Sequence, residues 1–163
     1  MEHVSAPCHF CLRHDGKVIY ILGEQDSRVV VADYDVQTGG MQVKQTASTV
    51  TAQFRGSTLA AEFILHPNGK FLYVTNRLGN AIACFKVHED GSITLFDEVW
   101  AHADYGRALS FDPSGQFVFV ANQRSDCITS FHVNADTGSL EFTWHFVPIG
   151  TPTSFVFTVL DSE

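Results

Sequence analysis

The apolar residues of this chain fall in short runs, and polar residues with glycine or asparagine break each run before it reaches helical length. No stretch repeats its hydrophobic positions every three to four residues, so strands are predicted and helices are not. The runs "KFLYVTN" and "QFVFVAN" are apolar almost throughout, which suits strands covered on both faces, while "AIACFKVH" and "CITSFHVN" predict the strands that follow them.

The runs recur in register. "LRHDGKVIYILGEQDSRVVVADYDVQTGGMQV", "LHPNGKFLYVTNRLGNAIACFKVHEDGSITL" and "FDPSGQFVFVANQRSDCITSFHVNADTGSLEF" align as three copies of one unit. Each has a first turn ending in Gly16, Gly69 or Gly115 and a second ending in Gly39, Gly91 or Gly138, 22 or 23 residues later. Asp-Gly, Asn-Gly and Ser-Gly supply the positive φ that a tight connection between antiparallel strands demands.

Four antiparallel strands per repeat predict an all-β chain built as a partial β-propeller. Phe71, Tyr73, Phe117, Phe119 and Trp144 follow strand spacing and are expected to pack within the blades. The blades are expected over about 9–50, 60–102 and 106–148, with a terminal strand over 153–160, all in one domain spanning 1–163. A β-sandwich is the competing architecture, but it does not call for self-similar units. Three units are fewer than a propeller ring needs, so either the chain is a truncated product, or two copies join, or a half-ring exposes end blades whose edges invite self-association. The first inter-blade connection, "TASTVTAQFRGSTLA", is longer than the second, and its Arg55 is a candidate for substrate binding.

Charge and cysteine usage narrow the chemistry. Eighteen acidic against ten basic residues, with no basic run, argue against nucleic acid as a partner. An anionic small molecule stays compatible, because a few arginines at a cleft outweigh distant negative charge. No apolar run approaches a membrane span and the first residues do not read as a signal peptide, so no membrane partner and a cytoplasmic location are expected. Cys8, Cys11, Cys84 and Cys127 read as reduced thiols. Cys8 and Cys11 form a C-x-x-C pair, but residues three apart on a strand point to opposite faces, so no metal site is expected there. The lack of a Gly-rich phosphate loop or nucleophile elbow leads to an expectation of no cofactor.

The segments "HPNGKFLYVTNR" and "DPSGQFVFVANQ", with the D-x-x-T-G turn after the third strand, resemble the lactonase family of seven-bladed propellers. That family includes bacterial-type 6-phosphogluconolactonases and carboxy-muconate cyclases, and the chain looks like the C-terminal half of a member. The resemblance implies that the start of each innermost strand faces a central channel, often with a Pro-Arg-His-Phe motif. "APCHF" keeps Pro7 and His9 but has Cys8 where arginine is common. "AAEF" supplies Glu62, similar to an acidic position of the cyclases, and "YGRAL" supplies Arg107 beside Ala108. His9, Glu62 and Arg107 are the candidate catalytic residues. Arg77 and Gln123, which follow the second strands, are candidates for substrate binding beside Arg55.

Such groups suit the opening of a lactone. A histidine or carboxylate promotes attack of water, and an arginine holds a phosphate or carboxylate and offsets developing charge. In the cyclase version they position an anionic diene and move a proton to carbon. The enzyme reading, a 6-phosphogluconolactonase-like hydrolase acting on a small anionic lactone or carboxylate, stands beside a scaffold reading. In the latter the chain is a non-catalytic interaction platform, as Cys8 and Ala108 at motif positions suggest.

Overall fold

The computed structural model describes residues 5–159. Twelve strands form three four-stranded antiparallel sheets, each a simple meander. The first contains β1 (Pro7–Leu12), β2 (Val18–Gly23), β3 (Arg28–Tyr34) and β4 (Met41–Ser48). The second contains β5 (Ala60–Leu65), β6 (Phe71–Asn76), β7 (Ala81–Val87) and β8 (Ile93–Trp100). The third contains β9 (Gly106–Phe111), β10 (Phe117–Asn122), β11 (Cys127–Val133) and β12 (Leu140–Pro148). No strand of one sheet pairs with a strand of another, so the sheets meet face to face as blades. β1 packs against β5 and β5 against β9, which makes these the innermost strands of neighbouring blades.

The apolar runs form because both faces of the middle strands are buried. All six residues of β6 are buried. Leu72 and Val74 meet Tyr20, Leu22, Val29 and Val31 of the first blade. Phe71 and Tyr73 turn the other way, toward Leu109, Val118, Val120 and Phe131 of the third. Each such side chain contributes roughly 1.5–3 kcal/mol by leaving water, and this face-to-face burial sets how the blades are stacked.

One polar contact recurs at both blade interfaces. The buried Tyr20 hydroxyl donates to the Gly91 carbonyl at 3.0 Å, and Tyr73, one repeat later, donates to the Gly138 carbonyl at 2.9 Å. Those glycines lie at φ +84° and +76°, and a Cβ on Gly138 would stand 2.3 Å from the Phe71 ring. Gly39 has a similar φ of +72° but nothing within 4 Å of a Cβ, because no blade precedes it among the described residues. The second turn glycine therefore serves two ends, a left-handed turn and a close approach to the neighbouring blade.

Three features differ from the sequence expectation. Residues 152–159 carry no strand, and Leu160 lies outside the described residues, so the terminal strand expected over 153–160 is not formed. Each sheet is already four strands wide, and a segment with no ladder partner gains none of the hydrogen bonds that define a strand. Phe157 instead packs against Phe119, ring centroids 4.9 Å apart. Trp144, whose spacing predicts packing within the blade, is 79% exposed at φ +63°, because β12 slips register opposite Thr129 and Phe131. Finally, Cys8 and Cys11 do not point to opposite faces. β1 carries a bulge between Pro7 and His9, and both thiols lean toward the second blade, Cys8 near the Ala61 carbonyl and Cys11 against the shared core. Both are free. Among the described residues, no helix is long and apolar enough to cross a membrane.

Gly138→Ala should cost about 1–2 kcal/mol for the left-handed backbone and a further 1–3 kcal/mol for the collision with Phe71. Gly39→Ala should cost only the first of these, so chemical denaturation of the two variants separates turn strain from blade packing. Burial pushes the Tyr20 phenol up to about 12 and also raises Tyr73. The folded state thus favours the protonated phenols, whose unfolded value is about 10. This contribution is complete below about pH 10 and is lost as pH climbs through about 12. The free energy of unfolding should fall across that window, and Tyr73→Phe should flatten the fall while lowering stability at neutral pH by about 1–2 kcal/mol.

Candidate functional site

The first strand of every blade is irregular at the same place. Pro7 pairs with Gly23 and His9 with Leu22, leaving Cys8 as an extra residue. In β5 the register breaks between Ala60 and Phe63, and in β9 Gly106 pairs with Asn122 and Ala108 with Ala121, leaving Arg107 unpaired. A bulge bends its strand and re-aims its side chains. Three equivalent bulges therefore place Cys8, His9, Glu62 and Arg107 at the same end of the three innermost strands.

His9 and Glu62 meet there. His9 Nδ1 lies 3.3 Å from Glu62 Oε1, with side chains 37% and 24% exposed, so the pair is shielded but still reached by water. The pair bridges two blades, one residue from each. Glu62 is fixed from its own strand, since its Oε1 also accepts the Phe63 N–H at 3.2 Å and its backbone N–H donates to the Thr75 hydroxyl at 3.1 Å. With the Glu62 carboxylate accepting at Nδ1–H, the neutral imidazole is left with its lone pair on Nε2, the form that can take a proton.

Arg107 occupies the bulge of β9, in the place Cys8 takes in β1. It is half-buried and makes no hydrogen bond or ion pair among the described residues. Arg77 has a different setting. It is 7% exposed, its Nη2 donates to Glu24 Oε1 and to the Ala60 carbonyl, and its guanidinium carbon lies 5.3 Å from the Tyr105 ring centroid. A residue so engaged with all three blades braces the site and is not free to hold a ligand. Arg55 is exposed in the first inter-blade connection, where it donates to the carbonyls of Ala52 and Phe54. Gln123 is half-buried, and its backbone N–H donates to the Tyr105 carbonyl at 3.0 Å.

Glu24 escaped the sequence reading, although the repeat contains the signal. Glu24, Arg77 and Gln123 each follow the second strand of their blade, and only the latter two were singled out. Tyr105 and Arg124 were also missed. Cys8 stands at the mouth of the site, where burial and the nearby Glu24 raise its thiol above the usual range. It is not a ready thiolate nucleophile. Among the described residues no three His, Cys, Asp or Glu side chains are grouped to hold a metal ion.

Comparison with known proteins agrees with the fold. The family described as "Lactonase, 7-bladed beta-propeller" matches residues 1–157. A 6-phosphogluconolactonase of Pectobacterium carotovorum is 33% identical over 88 residues, which cover 54% of this chain and 26% of that protein. One from Serratia proteamaculans is 34% identical, over 54% and 27%. Among solved structures, a protein from Lactobacillus plantarum superposes with a TM-score of 0.87 at 32% identity, over 93% of this chain and 44% of that one. A periplasmic gluconolactonase of Pseudomonas aeruginosa does so at 0.86 and 29%, over 91% and 41%. The match spans about a quarter of those curated relatives and less than half of the solved chains. With three stacked four-stranded blades and a family match over nearly its whole length, the chain belongs to the seven-bladed β-propeller lactonases.

Proposed function

We propose that the bulged ends of the inner strands form a lactone-hydrolysing site of carbohydrate metabolism, 6-phosphogluconolactonase-like, acting on a small anionic sugar lactone. The observation that carries this reading is the contact of His9 Nδ1 with Glu62 Oε1 at 3.3 Å, between equivalent positions of adjacent blades. The names of the relatives support the same class of reaction.

In this mechanism His9 Nε2 takes a proton from water as its oxygen adds to the lactone carbonyl. Glu62 holds the tautomer and stabilises the imidazolium that results. Arg107 faces the negative charge that develops on the carbonyl oxygen. Collapse of the tetrahedral adduct breaks the ring carbon–oxygen bond, and the imidazolium returns its proton to the departing alkoxide. The product is the open hydroxy acid. A cytoplasmic setting belongs to the same proposal and is supported by four free thiols among the described residues.

The purified chain should open 6-phosphogluconolactone faster than the spontaneous reaction, followed by proton release in weak buffer. His9→Asn and Glu62→Gln should each lower the enzymatic rate by about 10²-fold, and Arg107→Ala by a similar factor. No acceleration over buffer by the well-folded chain would overturn the reading.

A second reading, an interaction platform, is favoured by one observation. The uncovered face of the first blade carries an open groove of about 410 Å³ that runs from Cys8 and His9 at the candidate site over Phe10, Leu12, Ile21 and Met41, with Phe10 70% exposed. Uncovered apolar faces of this kind promote association. Under this reading sedimentation should show concentration-dependent self-association that Phe10→Glu abolishes, and a strictly monomeric chain would count against it.

A further inference from the structure

At the same end of the blades, beside Arg107, the chain holds a second cationic feature that the hydrolytic mechanism does not use. The guanidinium carbon of Arg124, in the turn from β10 to β11, lies 3.9 Å from the centroid of the Tyr105 ring. At this distance the cation lies against the face of the ring and is held there by its π electrons. Arg124 is exposed, and its side chain makes no hydrogen bond or ion pair among the described residues. Its donors have no acceptor among the described residues.

The platform beneath it is held against its own conformational preference. Tyr105 sits at φ +67°, a region that bulky side chains rarely enter. Its N–H donates to Asn80 Oδ1 at 3.0 Å, and its carbonyl accepts the Gln123 N–H at 3.0 Å. Contacts from two blades over-determine the strained residue, as is common where a side chain is positioned for a ligand. Arg77 approaches the same ring but is committed to Glu24. Arg124 is the member of the stack that remains free to bind.

The chemistry of the guanidinium selects the ligand, since its N–H groups suit a compact oxyanion, and it must do so from a turn that also carries Asp126. We propose that Arg124, mounted on Tyr105, binds a compact oxyanion, a phosphate or carboxylate, on the part of the ligand remote from the reacting carbonyl. Arg124 would then be a specificity-determining residue for anionic over uncharged lactones. This inference rests on the lactonase reading for the identity of the ligand, but anion binding at Arg124 can be measured without catalysis.

The test titrates the wild-type chain, Arg124→Gln, Arg124→Lys, Tyr105→Leu and Tyr105→Phe with inorganic phosphate, gluconate and 6-phosphogluconate by calorimetry, with thermal unfolding of each variant as a control. Arg124→Gln should weaken 6-phosphogluconate and phosphate by about tenfold or more and leave gluconate unchanged, since it removes charge-assisted hydrogen bonds to the phosphoryl group. A carboxylate as the recognised anion would show instead as equal weakening of gluconate and 6-phosphogluconate at unchanged melting temperature. Tyr105→Leu should reproduce the loss, Tyr105→Phe should retain binding because it keeps the ring, and Arg124→Lys should fall between. Undiminished binding by Arg124→Gln, or no binding of any of the three anions by the wild type, overturns the inference. Losses that track a lowered melting temperature do so as well, since Arg124 would then only brace the turn. Anion binding that depends on Arg124 in a chain without lactonase activity would uphold this inference and refute the hydrolytic one.

Discussion

The structure depends on how closely adjacent blades can approach. A four-stranded antiparallel sheet buries little by itself, and β2 and β6 here are apolar and buried along nearly their whole length. Stacking supplies the cover, but apolar burial alone leaves the sheets free to slide. The Tyr20 and Tyr73 hydroxyls remove that freedom, because each must find the carbonyl of a turn glycine in the next blade. An unmet buried donor or acceptor costs about 1–3 kcal/mol. The glycines allow contact with Val18 and Phe71 at distances where any side chain would intrude. Apolar burial brings the blades together, and the tyrosine–glycine contact fixes their alignment.

That alignment makes the site possible. His9 and Glu62 lie on different sheets, more than fifty residues apart, and neither sheet orients the other's side chain through a ladder. They meet because β1 and β5 carry a bulge at the same height and the blades are stacked with that height matched. Slippage by a single residue would exchange their faces. The tyrosine–glycine contacts reach turns at the opposite end of the blades from the bulges, so the alignment device and the irregular strand ends are separate parts of each blade. Regular pairing provides stability, and the place where pairing fails is where chemistry is available.

This division explains what the sequence disclosed. Blades, turns and strand count were legible because they are periodic: Gly16, Gly69 and Gly115, and Gly39, Gly91 and Gly138, repeat with the apolar runs between them. His9 and Glu62 could be placed in one column by counting from those glycines, and the structure brings them together. The bulges were not legible, since a register slip is decided by both strands of a pair and leaves no composition of its own. Without them Cys8 and Cys11 were assigned to opposite faces, and Trp144 was counted as packed. Pro152 to Phe157 failed in the opposite sense. "PTSFVF" follows the pattern of "PCHFCL" in β1, yet it forms no strand, because strand formation requires a partner that local sequence does not provide.

Two cross-blade ion pairs among the described residues, Arg77–Glu24 and His9–Glu62, occupy different environments, and the difference suits them to different roles. Arg77 is almost wholly buried against Glu24, so the charge of its guanidinium must be matched continuously, and loss of either partner would strand it. Such a pair cannot exchange protons or release a partner to a ligand without cost to the fold. The His9–Glu62 pair is partly open to solvent on both members, so it can be reached by a ligand while the blades stay in place. Arg107 and Arg124 complete the gradient, since neither has an internal acceptor among the described residues and both lie at the same end of the arc. From Arg77 outward the cationic groups pass from structural to available, and charge at this end becomes free for a ligand only where the blades no longer need it.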